Sequence, residues 1–288
     1  MKVWIDGQVV GASDARIPVT DHGLLYGDGL FEGLRVAGRG VFRLADHLDR
    51  LASGARAIGL ALPGGKAKLA TVVLETARAY DREQAYLRLI VTRGDGALGV
   101  DPVSCKEPRL ICIAGRIELF PAEKRERGLD LVTASQRRPA ADMLDPRIKS
   151  LNYMPSVLAK REARLRGADD ALLLNATGHV AEASVANLFA VKDGTLVTPP
   201  VTDGALSGIT RASVLEIAAS EGIAAREQSL CRFDLFDADE VFLTGTGAGI
   251  VPVASLDGAP IGAGAERPIT THIRTAFGDF VKSHSTPF

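Results

Sequence analysis

Lys149 stands in Ile148-Lys149-Ser150-Leu151-Asn152-Tyr153, a polar turn with no acid beside it. An amine desolvated in such a place loses basicity and can attack a carbonyl to form a Schiff base. At the surface it is only a solvated charge. Tyr153, four residues on, offers either a phenol to that chemistry or a half-buried ring. Glu182 falls in Gly178-His179-Val180-Ala181-Glu182-Ala183-Ser184, at a strand–turn boundary, where an exposed turn carboxylate is the plainer account. Gly208-Ile209-Thr210 opens a helical stretch. The N–H groups and the positive dipole end of a helix start suit a phosphate, although Thr210 capping its own helix explains the pattern too.

Thr244-Gly245-Thr246-Gly247-Ala248-Gly249 follows a strand and either turns the chain or offers loop N–H groups to an anion. It is not a dinucleotide motif: the spacing is Gly-x-Gly-x-Gly, and Ile250-Val251-Pro252-Val253 refuses the helix such a motif must open. Arg50 is adjacent to Leu51, so it lies about 100° round a helix axis, at the edge of an apolar stripe where snorkelling is the plain account. His22, His47, His179, His272 and His284 have no metal-ligand spacing. Lys160-Arg161 with Arg164 and Arg166 is interrupted by Glu162 and has no aromatic interleaving, which describes a solvated helix face rather than a nucleic-acid surface.

The elements that position these residues follow from pattern. Asp6-Gly7 between Val3-Trp4-Ile5 and Gln8-Val9-Val10 is a hairpin turn. Leu44, Leu48, Leu51, Ala55 and Ile58 predict a helix after Arg43, and another fits Lys66 to Tyr80. Strands are expected at Tyr86–Val91, Leu110–Ile113, Leu129–Ser135, Ala171–Leu174, Asn187–Lys192, Thr195–Thr198 and Glu240–Thr244. Helices are expected from Pro155 to Gly167 and from Thr210 to Ser220. Many strands without regular βα alternation indicate an α+β fold. The charged stretch 115–128 is the best linker, giving a small N-terminal domain 1–114 and a large C-terminal domain 129–288.

The chain has 288 residues, 46% of them hydrophobic, and a net charge of −1 from thirty-four basic and thirty-five acidic side chains. Such a composition builds a packed core and argues against disorder or a nucleic-acid coat. No run reaches a membrane span or a signal peptide, and Cys105, Cys112 and Cys231 suggest free thiols in a reducing compartment. A cytoplasmic protein that binds neither membrane nor nucleic acid, and no metal, is expected.

The order of these segments resembles the class IV pyridoxal-phosphate aminotransferases, fold type IV, and within them the branched-chain amino acid aminotransferases. The resemblance rests on Tyr26-Gly27-Asp28-Gly29-Leu30-Phe31-Glu32-Gly33-Leu34-Arg35, His47-Leu48-Asp49-Arg50-Leu51, Tyr86-Leu87-Arg88, and Arg93 through Pro102. It continues through Lys149-Ser150-Leu151-Asn152-Tyr153, Glu182, Asn187-Leu188-Phe189, Pro199-Pro200, Gly208-Ile209-Thr210-Arg211 and Thr244-Gly245-Thr246. It implies a two-domain enzyme with pyridoxal 5'-phosphate as cofactor, exchanging amino groups between branched-chain L-amino acids and 2-oxoglutarate by ping-pong kinetics. Lys149 then carries the cofactor and shuttles the substrate proton. Glu182 faces the pyridine nitrogen and Tyr153 the ring's 3-oxygen, while Arg50, Ile209, Thr210 and Thr246 form the phosphate cup. Tyr26, Phe31, Tyr86 and Arg88 line the substrate pocket, Arg88 as partner of a side-chain carboxylate. Gly247 and Ala248 meet the α-carboxylate. Leu98 and Val100 correspond to a loop reaching the neighbouring subunit's site, so a homodimer is implied.

Three departures from that family pattern stand out: Ser184-Val185-Ala186, Gly247 and Gly249. Thr92-Arg93-Gly94 also resembles relatives that act on D-amino acids, where such an arginine binds the α-carboxylate. The alternatives on the same fold are a D-amino acid or (R)-amine transaminase and an aminodeoxychorismate lyase. A catalytically silent phosphate- or nucleotide-binding module is disfavoured because Lys149, Tyr153 and Glu182 are all present.

Overall fold

The computed structural model describes residues 1–262 and 266–288. In chain order the elements are β1 Lys2–Ile5, β2 Gln8–Gly11, α1 His22–Tyr26, β3 Gly29–Ala37, β4 Gly40–Phe42, α2 Leu44–Ala57, α3 Gly65–Tyr80, β5 Gln84–Thr92, β6 Arg109–Gly115 and α4 Ala122–Arg127. They continue as β7 Leu129–Arg137, α5 Ala141–Leu144, α6 Met154–Leu165, β8 Asp170–Leu174, β9 Val180–Ala183, β10 Asn187–Lys192, β11 Thr195–Thr198, α7 Ile209–Ser220 and β12 Ala225–Glu227. The last are α8 Arg232–Phe236, β13 Glu240–Gly245, β14 Gly249–Leu256, β15 Ala259–Pro260, α9 Pro268–Ser283 and β16 Ser285–Pro287. No helix among the described residues is long and apolar enough to cross a membrane.

Two compact units result. One joins Met1–Ile117, Ile148–Asn152 and Val281–Phe288; the other joins Glu118–Arg147 and Tyr153–Phe280. The change at 117/118 lies inside the stretch expected as a linker, but part of that stretch folds as α4. Two later segments also return to the first unit, so the expected uninterrupted C-terminal domain is corrected. Their backbones explain it: β16 pairs with β4, and Ser150 bridges to Leu30. Lys149 therefore belongs to the first unit.

The first unit is an antiparallel sheet in the order β16-β4-β3-β5-β6-β1-β2. Its opening hairpin turns at Asp6 and Gly7, both with positive φ as a two-residue primed turn requires. Strand period two divides β3 between two faces. Leu30, Leu34 and Val36 enter the core that α2 and α3 cover with Leu48, Leu51, Leu69, Val72 and Val73. Phe31, Gly33 and Arg35 take the other face, opposite Ile90, Arg88 and Tyr86 of β5. β4 pairs only with Val36 and Ala37, leaving the start of β3 to another partner. Residues 149–151 supply it: Phe31 N donates to Lys149 O at 3.0 Å and Leu151 N to Gly29 O at 2.9 Å.

The second unit is built on a mixed sheet of nine strands in which β7 lies parallel to both β14 and β8. Ala159 and Ala163 of α6 pack on Val132, Ala134, Ala171 and Leu173, small residues letting the helix approach the sheet. A larger core gathers Leu172, Leu188, Leu243, Val251 and Val253.

Arg93 follows the end of β5 and ties the first unit together. Its Nε and Nη2 bond Asp28 at 2.8 and 3.0 Å, while Nη1 and Nη2 reach Gly59 O and Ile58 O at 2.6 and 2.9 Å. The two carbonyls follow the C-terminus of α2, where a cation is favourable. Arg93→Ala is expected to lower unfolding free energy by about 2–3 kcal/mol, below the fully buried case because both partners keep some water contact. Denaturant unfolding of the apo protein measures it; an unchanged midpoint would show the pair to be idle.

Candidate active site

Lys149 is positioned by backbone pairing rather than by a regular element. The bonds that bind 149–151 to β3 set its Nζ 4.6 Å from the centroid of the Phe31 ring. Arg88, from the same sheet face, places its guanidinium 4.8 Å from the Phe31 centroid and 5.7 Å from that of Tyr86. Its Nη2 donates to Tyr86 Oη at 3.3 Å. Gly33 lies between them because a Cβ there would collide with the Tyr86 phenol. Amine, aromatic wall and exposed cation thus come together in one unit.

Tyr26, at the end of α1, accepts from Gly99 N at 2.8 Å. Its helix partner His22, four residues earlier, contacts Ala97 O at 3.0 Å through Nε2. Together they hold the loop that presents Leu98 and Val100 to solvent. Arg93 is spent on Asp28 and the end of α2, so it does not offer a carboxylate site beside Arg88.

The other face of β3 carries a charge cluster. Glu32 shares the face of Leu30 and Leu34 and is fully buried. Arg50 Nε and Nη2 chelate it from α2 at 2.8 and 2.6 Å, and His47 Nδ1 lies 2.7 Å from its Oε2. Burial alone would push the Glu32 carboxyl up, but Arg50 and His47 outweigh it and hold the pKa at about 2. Burial, with Arg50 and Lys149, holds His47 below its usual 6.5 against the pull of Glu32. A neutral imidazole facing a carboxylate through Nδ1 carries its proton there. Arg50 is therefore not a snorkelling side chain.

In the second unit Glu182 is buried on β9, and both of its oxygens have partners. Asn187 Nδ2 and Leu206 N each donate to Oε2 at 3.1 Å, and Arg138 pairs with Oε1. It is not an exposed turn carboxylate. Sequence reasoning misses Arg138, since nothing in Gln136-Arg137-Arg138 distinguishes it from a surface charge. Its stem fits beside Gly204, which has φ +101° and no Cβ to obstruct it. Burial lowers the guanidinium pKa, and the neighbouring Tyr153 opposes that.

Asn187 also shapes the start of α7. Its Oδ1 fills the space a Cβ on Gly208 would need, and Gly208 is the N-cap. No side chain caps this helix, so Thr210 is an interior, buried residue and not the cap. The first-turn N–H groups keep the character of an anion site. Thr246, Gly247 and Ala248 form a three-residue hairpin loop between the paired Gly245 and Gly249. Gly249, paired with Gly245 just after the loop, has φ +73°, a left-handed conformation that favours glycine, which accounts for that departure. Val185 and Ala186 lie against Gly245, and Ser184 Oγ donates to the buried Asp170 at 2.5 Å.

Taken unit by unit, the first offers a lysine amine suited to an aldehyde and an arginine suited to a phosphate, and the second a phenol, a buried carboxylate and an uncapped helix start, suited to a hydroxyl, a ring nitrogen and a phosphate, the groups that pyridoxal phosphate carries. No cluster among the described residues suits a metal ion. The sequence pattern described as Amino-transferase class IV matches residues 29–256. The chain belongs to the class IV aminotransferases. It is 45% identical to a putative branched-chain-amino-acid aminotransferase of Methanocaldococcus jannaschii, over 97% of this chain and 96% of that one. A D-alanine aminotransferase of Bacillus licheniformis is 32% identical over 99% of both chains. The crystal structure of a branched-chain amino acid aminotransferase from Thermobaculum terrenum, in its pyridoxal-phosphate form, superposes with a TM-score of 0.88, at 30% identity, over 98% of this chain and 94% of that one. This is the expected fold type IV architecture.

The buried cluster makes stability depend on pH in a defined direction. His47 and Glu32 both have folded pKa values below their ordinary 6.5 and 4.5, so the unfolded chain binds more protons in acid. Stability is complete above pH 6.5, falls below it as His47 resists protonation, and falls again from 4.5 toward 2 as Glu32 is titrated. The Glu32 step is worth about 3 kcal/mol. Thermal melts of the apo protein should show this, and His47→Asn should flatten the part just below pH 6.5. An acid limb unchanged by that substitution would assign it elsewhere.

Proposed function

We propose that the protein is a pyridoxal-phosphate-dependent aminotransferase that moves amino groups between branched-chain L-amino acids and 2-oxoglutarate by ping-pong kinetics. The observation that carries this reading is the wall made by Phe31, Tyr86 and Arg88 beside the Lys149 amine. Aliphatic chains suit the two rings, and the exposed guanidinium suits the side-chain carboxylate of glutamate. The higher identity to the branched-chain relative than to the D-alanine enzyme agrees with it.

When bound, the cofactor supplies an aldehyde for the amino group and a ring that draws off electrons from the substrate carbon. Lys149 then holds the cofactor and moves the proton at its Nζ. Glu182, fixed by three donors, keeps the ring nitrogen protonated. Tyr153 bonds the ring hydroxyl; Arg50, the Ile209 and Thr210 N–H groups and Thr246 hold the phosphate. Tyr26 borders the substrate, and Gly247 and Ala248 offer N–H groups to its α-carboxylate. The protein is expected to work in the cytoplasm as a homodimer. Its free cysteines suit a reducing compartment. Leu98, Val100 and Val103, 82%, 79% and 71% exposed, suit burial against a second copy.

Single-turnover rates test the substrate reading. Arg88→Ala should slow the reaction with L-glutamate about ten- to hundredfold, the cost of one charge-assisted bond, and change that with L-leucine little. The parent should prefer both to D-alanine. Equal losses for leucine and glutamate, with D-alanine preferred, would overturn it.

A further inference from the structure

We propose that Glu32 is a positioning residue for cofactor recognition: it fixes the guanidinium of Arg50 so that the protein discriminates the phosphorylated cofactor from its unphosphorylated form. This rests on Arg50 holding the phosphate. The observation behind it is an ion cluster, with Glu32 and His47 fully buried, on a sheet face otherwise given to leucine and valine. A leucine at that position would pack against α2 without desolvating a charge, so packing alone does not explain a carboxylate there.

Geometry says what the carboxylate does. It chelates the Nε edge of Arg50 through both oxygens, at 2.8 and 2.6 Å, which fixes the plane of the guanidinium as well as its place. The Nη1 edge is turned away from Glu32 by the same planarity. His47, three residues before Arg50 on α2, holds the carboxylate from its other side at 2.7 Å. The carboxylate is thus gripped by two residues of one helix and cannot swing without breaking both contacts. Glu32 itself touches no phosphate in this scheme and acts only through Arg50.

Charge counting and positioning make opposite forecasts for Glu32→Gln. Removing a negative charge near a phosphate should tighten binding. Removing the second acceptor from the chelate should loosen it, because an amide accepts from one edge of the guanidinium and opposes the other with its own donors. Positioning requires the loosening.

The experiment is equilibrium binding of pyridoxal phosphate and of pyridoxal to the apo protein, followed by absorbance, for the parent, Glu32→Gln, Arg50→Met and the double variant. Glu32→Gln should weaken pyridoxal phosphate about ten- to hundredfold, as the loss of an aligned charge-assisted bond does, and leave pyridoxal within about twofold of the parent, since a ligand lacking the phosphate makes no bond to Arg50. Arg50→Met should do the same, and the double variant should be no worse than Arg50→Met. Glu32→Asp, which keeps the charge and shortens the reach, should give a smaller selective loss if Glu32→Gln fails to fold. Tighter binding in Glu32→Gln, or equal losses for both ligands, overturns the positioning role while leaving Arg50 on the phosphate. Unchanged pyridoxal phosphate binding in Arg50→Met removes Arg50 from the phosphate and the proposal with it.

Discussion

The edge of β3 is the constraint on which the first unit's chemistry depends. A strand edge cannot remain buried with unpaired N–H and C=O groups. β4 satisfies only the far end of β3, so the near end must be paired by something else. Residues 149–151 are that partner, and the amine of Lys149 is thereby delivered beside Phe31 by backbone bonds. A lysine on a free loop would lose orientation with every loop motion. Here its position is as firm as the sheet.

Period two then lets one strand serve two purposes. Phe31 and Gly33 face the arginine and tyrosine of β5, while Glu32, between them in sequence, faces α2. A shift of one residue in register would exchange the faces, putting Glu32 on the face of Tyr86 and Arg88 and Phe31 in the helix-covered core. The pairing of β3 with β5 over nine residues makes that slip costly. The glycine at 33 is part of the same arrangement, since it yields the space the Tyr86 phenol occupies.

Elements with clear periodicity are legible in the sequence. The helices expected after Arg43 and over Lys66–Tyr80 appear as α2 and α3, and the strands at 86–91, 187–192 and 195–198 lie within β5, β10 and β11. β3 is not legible as a strand. Its glycines, glutamate and arginine lower strand propensity, and burial on both faces removes the alternation that identifies a half-exposed strand. α9 is missed as well, and the linker stretch hides α4. Motif singles out Lys149 and Glu182 as candidates but not their surroundings. No local pattern shows that Ile148–Asn152 returns to β3, or that Arg138 meets a carboxylate forty-four residues later. Those are long-range pairings, set by topology rather than by spacing.

Glu32 and Glu182 show two ways of satisfying the oxygens of a buried carboxylate. Each is buried, and each is met by an arginine. Glu32 adds a histidine from the same helix as its arginine, so the cluster moves as a piece with α2. Glu182 instead takes a backbone N–H from Leu206 and an amide from Asn187, which also bonds Leu206 O. Its anchor is the loop itself, and the same asparagine stands against Gly208 at the start of α7. Fixing the carboxylate therefore also fixes the N–H groups of that helix start. A substitution at Asn187 would disturb both together, whereas one at Glu32 disturbs a side-chain cluster and leaves the backbone of β3 paired.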